Sequence, residues 1–176
     1  MLEPVQTQDD DLKSTIAALV GKMMKFDPGE LARLRRMDVD GPGELEFWRL
    51  AHDTGLRGDT SGMQLVKILA LLAPRGDVGS RAPFHRLGEP LGKVLAEAGF
   101  SEKRLASFMA LPFARRAEAL EGIARFITRK MKLGVNCVDI AQLLFVNDVW
   151  PLRQLARHYY TASDRIAAAE AKGEDK

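Results

Sequence analysis

Apolar side chains recur along this chain at intervals of three and four residues almost from end to end. No stretch alternates apolar and polar positions with the β-branched residues and bounding turns that a strand requires. The pattern predicts an all-α protein, a compact multi-helix bundle of two helical halves. A first helix is expected from about Asp11 to Phe26, with Ile16, Leu19, Val20 and Met23 on one face. Asp27-Pro28 reads as an N-cap followed by proline at the first helical position, opening a short helix through Met37. Glycines and a proline make 38–43 a turn, after which Leu45, Trp48 and Leu50 mark the next helix. Gly55 to Gly62 interrupts it. Ser61 and Gln64 stand at capping-box spacing ahead of the apolar run Leu65 to Ala73, which Pro74 closes.

Residues 74–90 hold three prolines and three glycines among basic residues, a long connection for a bundle and therefore a candidate functional loop. Beyond it the spacing predicts helices over Leu91 to Ala98, over a Ser101-capped segment to Ala110, and over a long stretch from Phe113 to about Leu133 after Pro112. Asn136, with Asp139 three residues on, caps a helix expected to reach Trp150, and Pro151 restarts the chain as Leu152 to Thr161. The organisation expected is a flexible tail over 1–8, one helical domain over 9–165 and a frayed tail over 166–176. Loop 75–90 joins the domain's halves, 9–74 and 91–165. No solenoid-length repeat is present in the sequence.

Composition changes this picture little, because a 46% hydrophobic and 28% charged content is that of an ordinary globular protein. The opening MLEPVQTQDDD lacks the basic-then-apolar order of a secretory signal, and the apolar runs Ile16 to Val20 and Ile68 to Ala73 are too short to span a bilayer. A cytoplasmic protein without membrane partners is expected. Charge is more informative. Residues 1–60 carry 8 Lys/Arg against 12 Asp/Glu, whereas 101–165 carry 11 against 6, so the C-terminal part is the one suited to a polyanion.

The three histidines, His52, His85 and His158, form no metal-ligand motif, and a single cysteine, Cys137, allows neither a disulfide nor a cysteine cage; it is expected as a small buried residue. Walker, dinucleotide and nucleophile-elbow signatures are lacking. Asp9-Asp10-Asp11 reads as helix caps and dipole-complementing charge, and Asp38/Asp40 has no nearby base. The expectation is no catalytic residue, no metal and no cofactor.

Three basic groups remain. On the long helix, Phe113, Ala117, Leu120, Ala124, Ile127 and Met131 mark the inward face, which leaves Arg125, Arg129 and Lys132 on nearly the opposite one, spaced to suit successive phosphates. Glu118 and Glu121 offer them intrahelical ion pairs as an equal alternative. Arg33, Arg35 and Arg36 crowd the end of a short helix, where the macrodipole also favours them. Arg153 and Arg157 lie one turn apart ahead of Tyr159 and Tyr160. The tyrosines could stack on unpaired bases, although the expectation is one in the core and the other a hydrogen-bonding anchor.

The order of these segments resembles the CasB family, the small subunit of the type I-E CRISPR Cascade complex, across nearly the whole chain. GELARLRRMD resembles the family's arginine-rich first block, followed by FWRL and VKILALLAP; VGSRAPFHRLGEPLGKVL resembles its glycine-containing connection. SEKRLASFMA, ALEGIARFITRKMKLGVNCVDIAQLLF and DVWPLRQLARHYYTA resemble its serine-led helix, its long arginine-bearing helix and its closing segment, with His158 where an acidic residue is usual. The resemblance implies a non-catalytic subunit present in two copies. Its partners would be the backbone, large and head subunits, with crRNA and target DNA. It would contact nucleic-acid backbone through Arg33, Arg35, Arg36, Arg125, Arg129, Lys132, Arg153 and Arg157, and so stabilise the R-loop. Two other readings stand beside it. One is a helix-turn-helix regulator, with the turn at Leu133 to Asn136 and a following helix from Cys137; the other is a protein-binding adaptor using exposed Met23, Met24 and Met37.

Overall fold

The structure, a computed structural model, describes residues 4–130 and 134–173, with side chains from residue 8 onward. Its regular structure is α-helical: α1 Pro4–Met23, α2 Pro28–Arg36, α3 Leu45–Thr54, α4 Thr60–Leu72, α5 Leu91–Glu97, α6 Glu102–Met109, α7 Arg116–Lys130, α8 Cys137–Phe145 and α9 Trp150–Gly173. Among the described residues the only β pairing is an isolated bridge between His85 and Val135.

Most helix ends follow local side-chain chemistry. Asp27 and Glu30 form a reciprocal capping box at α2, each carboxylate accepting the other's backbone N–H, with Pro28 at the first helical position. Ser101 caps α6 and Asn136 caps α8 as expected. Other ends differ from the sequence reading. Asp59, not Ser61, caps α4 by accepting from Gly62 N–H, because the carboxylate lies two residues earlier and is backed by Arg57 at 2.7 Å. Residues 113–115 form a 3-10 turn, so α7 proper starts at Arg116 and not at Phe113. The helix expected to reach Trp150 stops at Phe145, and Trp150 opens α9 with Pro151 in its first turn. That helix then runs to Gly173, through most of the expected tail. The first helix likewise begins at Pro4, which puts Asp9 to Asp11 inside it: Asp9 and Asp10 pair with Lys13, and Asp9 accepts from Gln142 of α8.

The two halves share one hydrophobic core. The strongly apolar α4 buries eight of its side chains or glycines and packs on α2 and α3 from its own half and on α7 and α8 from the other. Each fully buried Leu or Ile there contributes about 1.5–3 kcal/mol relative to exposure, so α4 anchors the bundle. The long α9 lies along α5, and this approach requires Gly92, since a Cβ there would sit 2.2 Å from the Leu155 carbonyl oxygen and 2.7 Å from the Tyr159 nitrogen. Tyr159 is buried and its hydroxyl donates to the Phe100 carbonyl, serving at once as core residue and as anchor. Tyr160 is exposed.

Loop 75–90 is held on both sides. Val135 N–H donates to the Phe84 carbonyl at 2.9 Å, Arg86 N–H to the Val135 carbonyl at 3.1 Å, and Asn136 N–H to the Glu89 carbonyl at 2.7 Å. Beside them His85 Nδ1 accepts from Cys137 N–H, which keeps that nitrogen unprotonated; burial pushes the imidazole pKa down in the same sense. Asp139 accepts from the side-chain amide of Asn136, the cap of its own helix, and itself caps α5: its carboxylate accepts Leu91 N–H at 2.8 Å. Cys137 is fully buried, and burial pushes its thiol pKa up, leaving an inert thiol.

Candidate nucleic-acid interface

The ends of α2 and α4 and the outer side of α7 meet at one place, and each brings arginine to it. At the end of α4, Ala73 is extended and Pro74 prevents continuation, so the last carbonyls lack helical partners. Arg35 of α2 supplies them, its Nε donating to Ala70 O at 2.7 Å and one terminal nitrogen to Ala73 O at 3.0 Å. Arg75 follows directly. From α7, the Thr128 hydroxyl lies 3.1 Å from Leu71 O and 2.8 Å from its own Ala124 O, which holds the helix against α4 and sets Arg125 and Arg129 alongside. The result is a cleft of about 260 Å³ lined by Arg35, Leu71, Arg75, Arg125, Thr128 and Arg129. Among the described residues no carboxylate lines it.

Like charges in such proximity repel, and the effect is visible at Arg35. Burial first, then Arg75 and Arg81, lower its pKa from the ordinary guanidinium range. Arg81 is itself buried, donating to the carbonyls of Gly76, Met24 and Phe26 and so closing the C-terminal end of α1; its Nη2 has no hydrogen-bond partner among the described residues. Counter-charge comes from one side only, where Glu121 pairs with Arg125 at 3.3 Å and with Lys67 at 3.4 Å. A concave surface with this charge and no acidic lining suits a polyanion, whose phosphates can each accept a charge-assisted, bidentate contact.

The sequence-predicted residues divide accordingly. Arg35, Arg125 and Arg129 come together in the cleft. Arg33 does not: its guanidinium is engaged by Glu46, whose carboxyl pKa it holds below the usual range. Arg36 is exposed, with no ion-pair partner among the described residues. Lys132 lies outside the described residues. Arg153 and Arg157 form a separate exposed stripe on α9, continued one turn on by exposed Tyr160, with Tyr159 turned inward. Arg75 is the residue that sequence reasoning missed. The basic loop pointed to its neighbourhood, but Arg75, Arg81 and Arg86 are equivalent in composition, and only folding buries Arg81 while leaving Arg75 in the cleft.

The structure also bears on the two other readings. Seven of the nine residues of α8, the would-be recognition helix, are buried, so it cannot enter a major groove. Met23 and Met37 are core residues and Met24 packs against the core, which removes the adaptable methionine surface expected of an adaptor. Among the described residues no cluster of His, Cys, Asp or Glu is placed to hold a metal ion, and no helix is long and apolar enough to cross a membrane. No family model, curated protein or solved structure matches the chain.

Proposed function

We propose that this chain is a non-catalytic, nucleic-acid-contacting subunit, and that it serves as the small subunit of a type I-E CRISPR Cascade complex. The observation that carries the first part is the convergence of Arg35, Arg75, Arg125 and Arg129, from three separate segments, on one cleft whose lining among the described residues holds no carboxylate. Such a surface holds phosphates and reads no base edges, so binding is independent of sequence and strongly salt-dependent. The second part rests on the resemblance of the ordered sequence blocks to the CasB family. Within that assembly the subunit braces its neighbours and retains a strand opened by guide pairing. Because R-loop exchange is nearly balanced in energy, a few backbone contacts suffice to tip it.

The test is reconstitution with the backbone, large and head subunits, comparing wild type with R125E/R129E. The variant is expected to assemble and to pair guide with target, but to lose the displaced strand sooner, with a shorter R-loop lifetime that depends less on salt. Equal lifetimes would remove the cleft as a strand contact. Failure of the wild-type chain to join the assembly would remove the Cascade assignment.

A further inference from the structure

A second cavity, of about 460 Å³, opens beside the arginine cleft, and the two share Arg75 and Thr128 on their common border. Its walls differ in kind. Leu72, Pro83, Phe84, Ile127 and Val135 make it predominantly apolar, with Ser80 the one further hydroxyl. The cavity is preformed: the backbone bridge between Phe84 and Val135 fixes its floor, and Gly134 is required there because a Cβ would lie 2.7 Å from the Phe84 carbonyl oxygen. Its volume falls within the range of about 300–1,000 Å³ that small-molecule pockets occupy. An apolar chamber joined to a cationic one fits a ligand with a flat apolar head and an anionic tail.

We propose that this cavity seats one unpaired nucleobase of the single strand whose phosphates lie on the arginine cleft. The inference rests on the nucleic-acid reading above and deepens it. Pro83, exposed beside the buried Phe84, supplies apolar surface of the kind against which bases lie, whatever their identity. The Thr128 hydroxyl lies against two backbone carbonyls and the Ser80 hydroxyl donates to Asp77 O at 3.0 Å, so among the described lining residues neither hydroxyl is free to donate to a base edge. The site therefore responds to the presence of a base and not to its sequence, and it favours single strands over duplex because a paired base cannot enter.

The experiment compares a thymidine hexanucleotide with a hexamer of abasic spacers carrying the same phosphates, at low salt, by fluorescence anisotropy. Wild type is expected to bind the base-bearing chain about tenfold more tightly, as one stacked base warrants. Ala82→Leu, a substitution at an exposed position on the cavity lining that fills space without adding a ring to stack on, should abolish that preference while leaving affinity for the spacer chain unchanged. Ser80→Leu fills the same space from another exposed position and should give the same result, with circular dichroism confirming that both variants fold. Equal wild-type affinity for the two chains would overturn the proposal, as would retention of the full preference by either folded variant. Competition by thymidine monophosphate as effective as that by the hexanucleotide would overturn the strand assignment in favour of a free nucleotide. Failure of wild type to bind either chain would remove the nucleic-acid reading itself, and the present inference with it.

Discussion

The salt dependence of single-strand binding is where the cleft makes a numerical commitment. Arg75, Arg125 and Arg129 line it with terminal guanidinium nitrogens, Arg129 through its Nη atoms because its Nε donates to Arg125 O, and Arg125 by exchanging its exposed pair with Glu121 for a phosphate, whereas Arg35 has donors committed to Ala70 and Ala73 carbonyls. Each phosphate neutralised on a single strand contributes about 0.7 to the slope of log affinity against log salt, so three contacts give a slope near −2. Between 50 and 200 mM salt the wild-type affinity should accordingly fall by about 15- to 20-fold. R125A/R129A removes two of the three contacts and should leave a slope near −0.7, a fall of about threefold over the same range. Both residues are exposed, and surface changes of this sort cost within about 0.5 kcal/mol of stability, so the fold should survive. Arg35→Ala is the contrasting variant. It strips partners from two carbonyls at the end of α4 and should cost about 1–3 kcal/mol by urea denaturation. Anisotropy titrations of a labelled oligonucleotide across salt read the slopes directly. A double variant whose slope matches wild type would refute the assignment of these arginines to phosphate.

Further outcomes follow from packing and ionisation. Gly92→Ala should destabilise by about 1–3 kcal/mol by pushing α9 off α5, while Gly122→Ala, where a Cβ meets nothing within 4 Å in mid-helix, should stabilise by about 0.5–1 kcal/mol; chemical denaturation of the pair checks both signs. Tyr159→Phe leaves the Phe100 carbonyl unpaired and should cost about 1–3 kcal/mol, read as a lower thermal midpoint, whereas Tyr160→Phe should be silent. His85 is held below its ordinary pKa, so its contribution is complete above about pH 6.5 and is lost as pH falls through the folded value, when protonated Nδ1 can no longer accept from Cys137 N–H. His85→Asn, whose amide oxygen can accept in the same place, should remove that part of the loss between pH 7 and 5; an identical pH profile for wild type and variant would refute it.

Fold class and helix positions are legible in the residues themselves, because a helix declares its buried stripe by spacing and its ends by short-range capping. Asp27, Ser101 and Asn136 cap the helices that the pattern assigns them, and Ala117, Leu120, Ala124 and Ile127 are the inward face of α7. Local chemistry falls short where two signals compete within a turn, as with Asp59 and Ser61, or where distant packing extends a helix beyond its own periodicity, as it does α9 along α5. For the candidate site the division is sharper. Sequence alone determines that arginines are abundant near α2, loop 75–90 and α7, and it cannot rank them, since exposed and buried arginine are the same residue in one dimension. Tertiary structure decides that Arg33 is spent on Glu46, that Arg35 and Arg81 hold helix ends, and that Arg75, Arg125 and Arg129 face one cleft. The physical reason is that a guanidinium's role depends on which carbonyl or carboxylate reaches it first. Those partners lie as far as 57 residues away along the chain.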